Sequence, residues 1–186
     1  MSNEYQKRLR ERLQRMPSVA PPLPWKHVAT HAVGGLTEIG YAPDSDLLLV
    51  ISSNGRGVYD CRTGERVARD REEIWEDLDE TRLVSRGIGP LSDLRIRLAG
   101  LHGGGLPTTT EDGWNLDIIA LDWPQHSMFL TLPYKSLFQD DGHSYKITQD
   151  GVAEFRAAGF SETGQSFVFA TGSDLEIYAR IPKSNE

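Results

Sequence analysis

The sequence predicts an all-β protein of small antiparallel units preceded by one helix. From residue 33 onward it is written in short runs that are apolar or alternate apolar with polar. Examples are LLLVISS (47–53), GVYD (57–60), LDIIALD (116–122), MFLTLP (128–133), SFVFAT (166–171) and LEIYARI (175–181). Gly, Pro, Asp, Asn and Ser punctuate these runs at the spacing of about 8–12 residues typical of sandwiches, barrels and propellers. One stretch also recurs later in the chain. With 38% hydrophobic and 25% charged residues over 186 positions, the composition is globular, and the chain is long enough to bury a core without disulfides or metal.

Residues 1–16 read as a helix. Tyr5, Leu9, Leu13 and Met16 recur at helical spacing, and Glu4/Arg8, Lys7/Glu11 and Glu11/Arg15 are i,i+4 pairs of opposite sign. Pro17, Pro21, Pro22 and Pro24 stop it, because proline lacks the N–H and disfavours helix in the preceding residue. Residues 17–32 are then a Pro-rich connector, with 25–32 extended, and 33–186 form a single all-β domain. LRIRLAGL (94–101) and VAEFRAAGF (152–160) add further strands. Only 72–84 breaks the pattern. There Ile74 and Leu78 fall at helical spacing among acids, predicting a short acidic helical insertion over 72–80.

GYAPDSDLLLVISSNGRGVYDC (40–61) aligns without gaps on GFSETGQSFVFATGSDLEIYAR (159–180), an offset of 119 residues. Leu48-Leu49-Val50 falls on Phe167-Val168-Phe169, and Val58-Tyr59 on Ile177-Tyr178. Residues 120–132 fit the same frame with Met128-Phe129-Leu130 in the apolar triplet, and 87–98 supplies a candidate fourth copy. The sequence of aromatic, turn (Pro43-Asp44-Ser45; Glu162-Thr163-Gly164), buried strand, polar turn and aromatic-ended strand resembles the blade repeat of WD40 and YVTN-type β-propellers. It lacks their Gly-His and Trp-Asp dipeptides. The resemblance implies propeller-like hairpin units, about four small sheets; a β-sandwich or irregular barrel is the alternative.

Charge narrows the partners. There are 27 acids against 20 bases, a net charge of −7. A basic footprint for nucleic acid is absent, so a nucleic-acid partner is not expected. Residues 1–16 are locally basic and 71–82 strongly acidic. No apolar run reaches membrane length and the N-terminal stretch lacks an apolar signal region, so no membrane association is expected. Cys61 is the one cysteine, which leaves no intrachain disulfide and makes a reducing cytoplasm the expected location.

Two places qualify as sites. The first is the loop 102–114, in which His102, Gly103, Gly104, Gly105, Thr109, Asp112 and Trp114 offer amides, a hydroxyl, a carboxylate and an aromatic to a ligand or partner. The competing reading is a wide hairpin whose glycines let the chain pass close to a neighbouring strand, with Trp114 in the core. The second is an acidic surface of Glu73, Trp75, Glu76 and Asp79, suited to a cationic partner. The histidines lack nearby carboxylates in metal-ligand spacing, and neither a phosphate loop nor a nucleophile elbow occurs. No metal, cofactor or catalytic residue is therefore assigned. The function expected is non-enzymatic protein binding, with a basic partner favoured by charge. An immunity or antitoxin role against a basic protein, and a small-ligand or enzymatic role for the 102–114 loop, are the alternatives.

Overall fold

A computed structural model of the protein describes residues 2–71, 78–147 and 154–182. Helix α1 (Ser2–Arg15) is followed by strands β1 (Trp25–Ala32), β2 (Leu36–Tyr41), β3 (Leu47–Ser52), β4 (Gly55–Asp60) and β5 (Glu65–Asp70). Then come β6 (Leu78–Asp79), β7 (Val84–Arg86), β8 (Arg95–Arg97) and β9 (Ala99–Gly100). The chain ends with β10 (Asn115–Asp122), β11 (Gln125–Thr131), β12 (Ser144–Lys146), β13 (Phe155–Phe160), β14 (Ser166–Thr171) and β15 (Asp174–Arg180). They form four small antiparallel sheets, ordered β6-β7-β8, β5-β4-β3-β2-β9, β1-β15-β14-β13 and β10-β11-β12. The fold is all-β with one N-terminal helix, and none of the described sheets closes into a barrel.

The sheets pack face to face in series. Side chains alternate across a strand, so β3 sends Leu49 and Ile51 toward Ile96 and Leu91, and Leu48 and Val50 toward Val168 and Ile177. The next sheet repeats the arrangement. Val168 and Ile177 face back, while Phe167, Phe169 and Tyr178 pack on Leu116, Met128 and Leu130. Burial on both faces explains why these strands read as unbroken apolar runs rather than alternating ones. Leu13 of α1, with Leu9 and Met16, covers the remaining face of β10-β11 through Leu121 and Phe129. Tyr5, on the predicted stripe, is instead 57% exposed.

The internal repeat extends to individual hydrogen bonds. In the meander β2-β3-β4, Gly40 pairs with Leu49, Leu48 with Tyr59 and Leu49 with Val58. In β13-β14-β15, Gly159 pairs with Val168, Phe167 with Tyr178 and Val168 with Ile177. Both have a register shift in the first strand, between Leu36 and Glu38 and between Phe155 and Ala157. Their hairpin turns also match. The Asn54 amide donates to Ser52 Oγ at 3.2 Å, and the Ser173 amide to Thr171 Oγ1 at 3.3 Å. All six residues of the two apolar triplets are buried strand residues. Each meander carries a fourth strand beyond its last: β5 follows β4 directly, whereas β1 comes from the other end of the chain to pair with β15.

Other expectations are corrected. The third copy fails in register. Phe129 lies opposite Asp117 rather than residue 120, because β10 and β11 are joined at Asp122↔Gln125 by a two-residue turn, and loop length fixes register. Residues 87–98 are a 3-10 turn (Gly89–Leu91) and the separate strand β8, not a meander. The structure does not show a propeller or WD40 repeats. Within the segment 17–32, Trp25–Ala32 is a strand that pairs with β15. Of the expected acidic helix, 72–77 lie outside the described residues, and Leu78 and Asp79 belong to β6 rather than to a helix.

Candidate functional site

Because the two meanders match, a position on one face of the first has a counterpart on the second. One difference between counterparts, a change of charge, occurs where each meander borders a cavity. Tyr59 and Gly57 of β4 correspond to Tyr178 and Glu176 of β15. Their cross-strand partners are Arg66 and Arg69 on β5, and His27 and Thr30 on β1. In both fourth strands one residue, Val67 or Val28, is skipped by the pairing. This bulge brings residues three apart onto one face, where an unbroken strand would place them on opposite faces.

At the second meander the cavity is a groove of about 1000 Å³ between the face of β14-β15-β1 and the proline-rich segment 18–23. That segment is held as a strap by the Val19 amide donating to the Lys146 carbonyl at 2.9 Å. Val19, Leu23 and Ile181 on the rim are 40%, 75% and 41% exposed, while Trp25, Phe169 and Tyr178 form a buried floor. Asp174 and Glu176 line the sheet side. The Tyr178 hydroxyl donates to Glu176, which fixes that carboxylate against the floor. Burial, and then the Glu176 charge, push the Tyr178 phenol well above its usual range. Trp25 Nε1 is buried and has no hydrogen-bond partner among the described residues.

At the first meander the matching cavity is smaller, about 140 Å³, and is lined by Arg66, Arg69, Ser52, Asn54 and Tyr59. Glycines 55 and 57 stand where the second meander has Asp174 and Glu176. The pair of pockets thus has one backbone frame and opposite charge.

The 102–114 loop does not converge on one point. His102 lies at one end, where Glu38 Oε1 accepts its backbone N–H at 3.0 Å and sits 2.7 Å from Nδ1. Glu38 is 1% exposed, and its other oxygen has no partner among the described residues. Gly104 has φ of +79°, and a Cβ there would lie 2.2 Å from the Leu98 carbonyl oxygen. That is the close-crossing role the sequence offered for the glycines. The Gly103 and Gly105 positions are exposed. At the other end, Thr109 Oγ1 donates to Asn115. The Asp112 carboxylate takes two 2.7 Å bonds from Arg180, whose guanidinium lies 4.6 Å from the Trp25 ring centre. Trp114 is buried edge-on against Trp25. Arg180 and Thr110 hold the Asp112 carboxyl below the usual range. The flanking strands belong to different sheets, since β9 pairs with β2 and β10 with β11, so the wide hairpin is also replaced.

Of the expected acidic surface, Glu73, Trp75 and Glu76 lie outside the described residues. Asp79 is half-buried and bonds the Arg82 amide at 2.9 Å. Cys61 is fully buried, and burial pushes its thiol far above the ordinary range, where the reactive thiolate is suppressed. Among the described residues no three His, Cys, Asp or Glu side chains group to hold a metal, and no helix is long and apolar enough to cross a membrane. The sequence reading missed the groove because its walls come from 18–30, 147 and 169–181, three separated stretches. The one local signal was the mixture of acids and apolar residues at 174–178. No protein-family model matches the chain, and no curated protein matches it.

Proposed function

We propose that the chain is a non-enzymatic binding protein that receives a segment of a partner protein in the groove beneath the proline-rich strap. The single observation that carries this reading is the groove's division into two walls. One is an exposed aliphatic rim of Val19, Leu23 and Ile181, and the other a carboxylate wall of Asp174 and Glu176. Exposed apolar surface next to a fixed charge favours an amphipathic occupant, with aliphatic side chains anchoring and basic side chains giving orientation and salt dependence. Lys26 and His27 at the edge restrict the basic contacts to the Asp174–Glu176 side.

A phage-displayed peptide library panned on the intact protein tests this. Selected peptides are expected to carry Lys or Arg beside Leu, Ile or Val. Their affinity should fall about tenfold or more, roughly 1.4 kcal/mol, in both Leu23→Asp and Glu176→Lys, with the fold kept by circular dichroism. Selected peptides that bind these variants as well as the parent would remove the groove as the site.

A further inference from the structure

We propose that the smaller pocket on the first meander binds a phosphoryl group. Its matched partner supplies the comparison. In the second meander the inward residues of the last strand are Asp174, Glu176 and Tyr178, with the uncharged Thr30 opposite Glu176 and His27 opposite Tyr178. In the first meander both acids are replaced by glycine, at 55 and 57, while Arg69 lies opposite Gly57 in the place of Thr30 and Arg66 opposite Tyr59 in the place of His27. The backbone register is the same, so the reversal lies in the side chains alone. The bulge at Val67 places the Arg66 and Arg69 side chains on one face, three residues apart.

Among the described residues no carboxylate lines the pocket. Asp70, at the end of β5, is engaged by Arg56, which holds it at 2.8 Å and also donates to the Arg86 carbonyl at 3.2 Å. Among the described residues neither Arg66 nor Arg69 has an ion pair. Two guanidinium groups on one face, with Ser52 and Asn54 beside them, suit a tetrahedral oxyanion, for which arginine offers paired donors. The volume of about 140 Å³ is below the roughly 300–1,000 Å³ of sites that enclose a drug-sized ligand. It admits the phosphoryl group and leaves its carrier outside. Gly57 keeps the floor open: a Cβ there would come within 3.1 Å of the Tyr59 ring and 3.6 Å of Arg66 Cδ.

The test is a titration of the 15N-labelled full chain with inorganic phosphate at low ionic strength, followed by amide shifts. Saturable shifts are expected at Gly55, Gly57, Arg66 and Arg69, and they should weaken as salt is added. Two variants probe the cause. The double change Arg66→Gln with Arg69→Gln removes the charge without touching the core. Gly57→Glu installs the carboxylate that the second meander carries at the matched position, and either should abolish the response. A phosphoserine peptide and its unphosphorylated form separate the carriers. Tighter binding of the phosphopeptide than of free phosphate assigns a protein carrier, and equal binding assigns a free phosphate compound. No saturable response to phosphate, a response that survives the double change, or an equal response to acetate would overturn the proposal.

Discussion

The two meanders are one backbone solution used twice, and the reversal of charge between them lies where each borders a cavity. Leu48, Val50 and Tyr59 of the first occupy the positions of Phe167, Phe169 and Tyr178 in the second, and all six are buried. Register, bulge and turn hydrogen bonds coincide. Gly55, Gly57, Arg66 and Arg69 against Asp174, Glu176, His27 and Thr30 do not. Positions that pair or pack are constrained by the neighbouring strand, whereas positions facing a cavity are free to acquire a charge and a ligand.

The largest expected effects test whether the two cores are equivalent. Phe167→Ala should cost about 3–5 kcal/mol and Leu48→Ala about 2–5 kcal/mol, because neither buried site can collapse around the space left. Urea denaturation should show each loss within one cooperative transition. Two separate transitions would mean that the meanders fold as independent units.

The next contrast concerns one turn position. Gly55 has φ of +107° and a Cβ there would lie 2.2 Å from the Asp70 carbonyl oxygen. Gly55→Ala should therefore destabilise by more than about 1 kcal/mol, while the matched Asp174→Ala should stay within about 0.5 kcal/mol. Similar losses in both would show that the turns are under the same constraint after all. Gly104→Ala, also at positive φ and against the Leu98 carbonyl, should resemble Gly55→Ala in thermal denaturation.

The smallest effect is a pH dependence on the second meander alone. Asp112 is held below the usual range by Arg180, so its folded pKa is depressed. The stability it contributes is present above the unfolded value of about 3.9 and is lost as pH falls through the folded value. The carboxylate is half exposed, so solvent screening limits the contribution to about 0.2–1 kcal/mol. Asp112→Asn should remove that share of the loss below about pH 4, measured as the difference in unfolding free energy between pH 6 and pH 3. An unchanged pH profile would mean that the Arg180 contact does not distinguish this meander.

The parts of the fold with local causes were legible in the sequence. Proline and helical spacing end α1 at the start of the connector. The apolar triplets and turn residues make the strands 47–52, 55–60, 166–171 and 174–180, and the gapless alignment of 40–61 on 159–180 anticipates their shared register. Each of these depends on residues within one hairpin. What depends on a free edge or an uncovered face was set by packing between distant segments. A strand with an unpaired edge accepts any strand that reaches it, so β1 and β5 fill equivalent places from opposite directions along the chain. The third and fourth copies looked plausible because apolar–turn–apolar grammar is common to hairpins, but a two-residue turn and a sheet change at Leu98 set their pairing instead. The candidate sites were illegible for the same reason. The groove joins residues far apart in sequence, the 102–114 loop is pulled apart by Glu38 at one end and Arg180 at the other, and Arg66 and Arg69 share a face only because pairing with β4 skips Val67. Backbone pairing between distant strands, not the local pattern, chose which side chains meet.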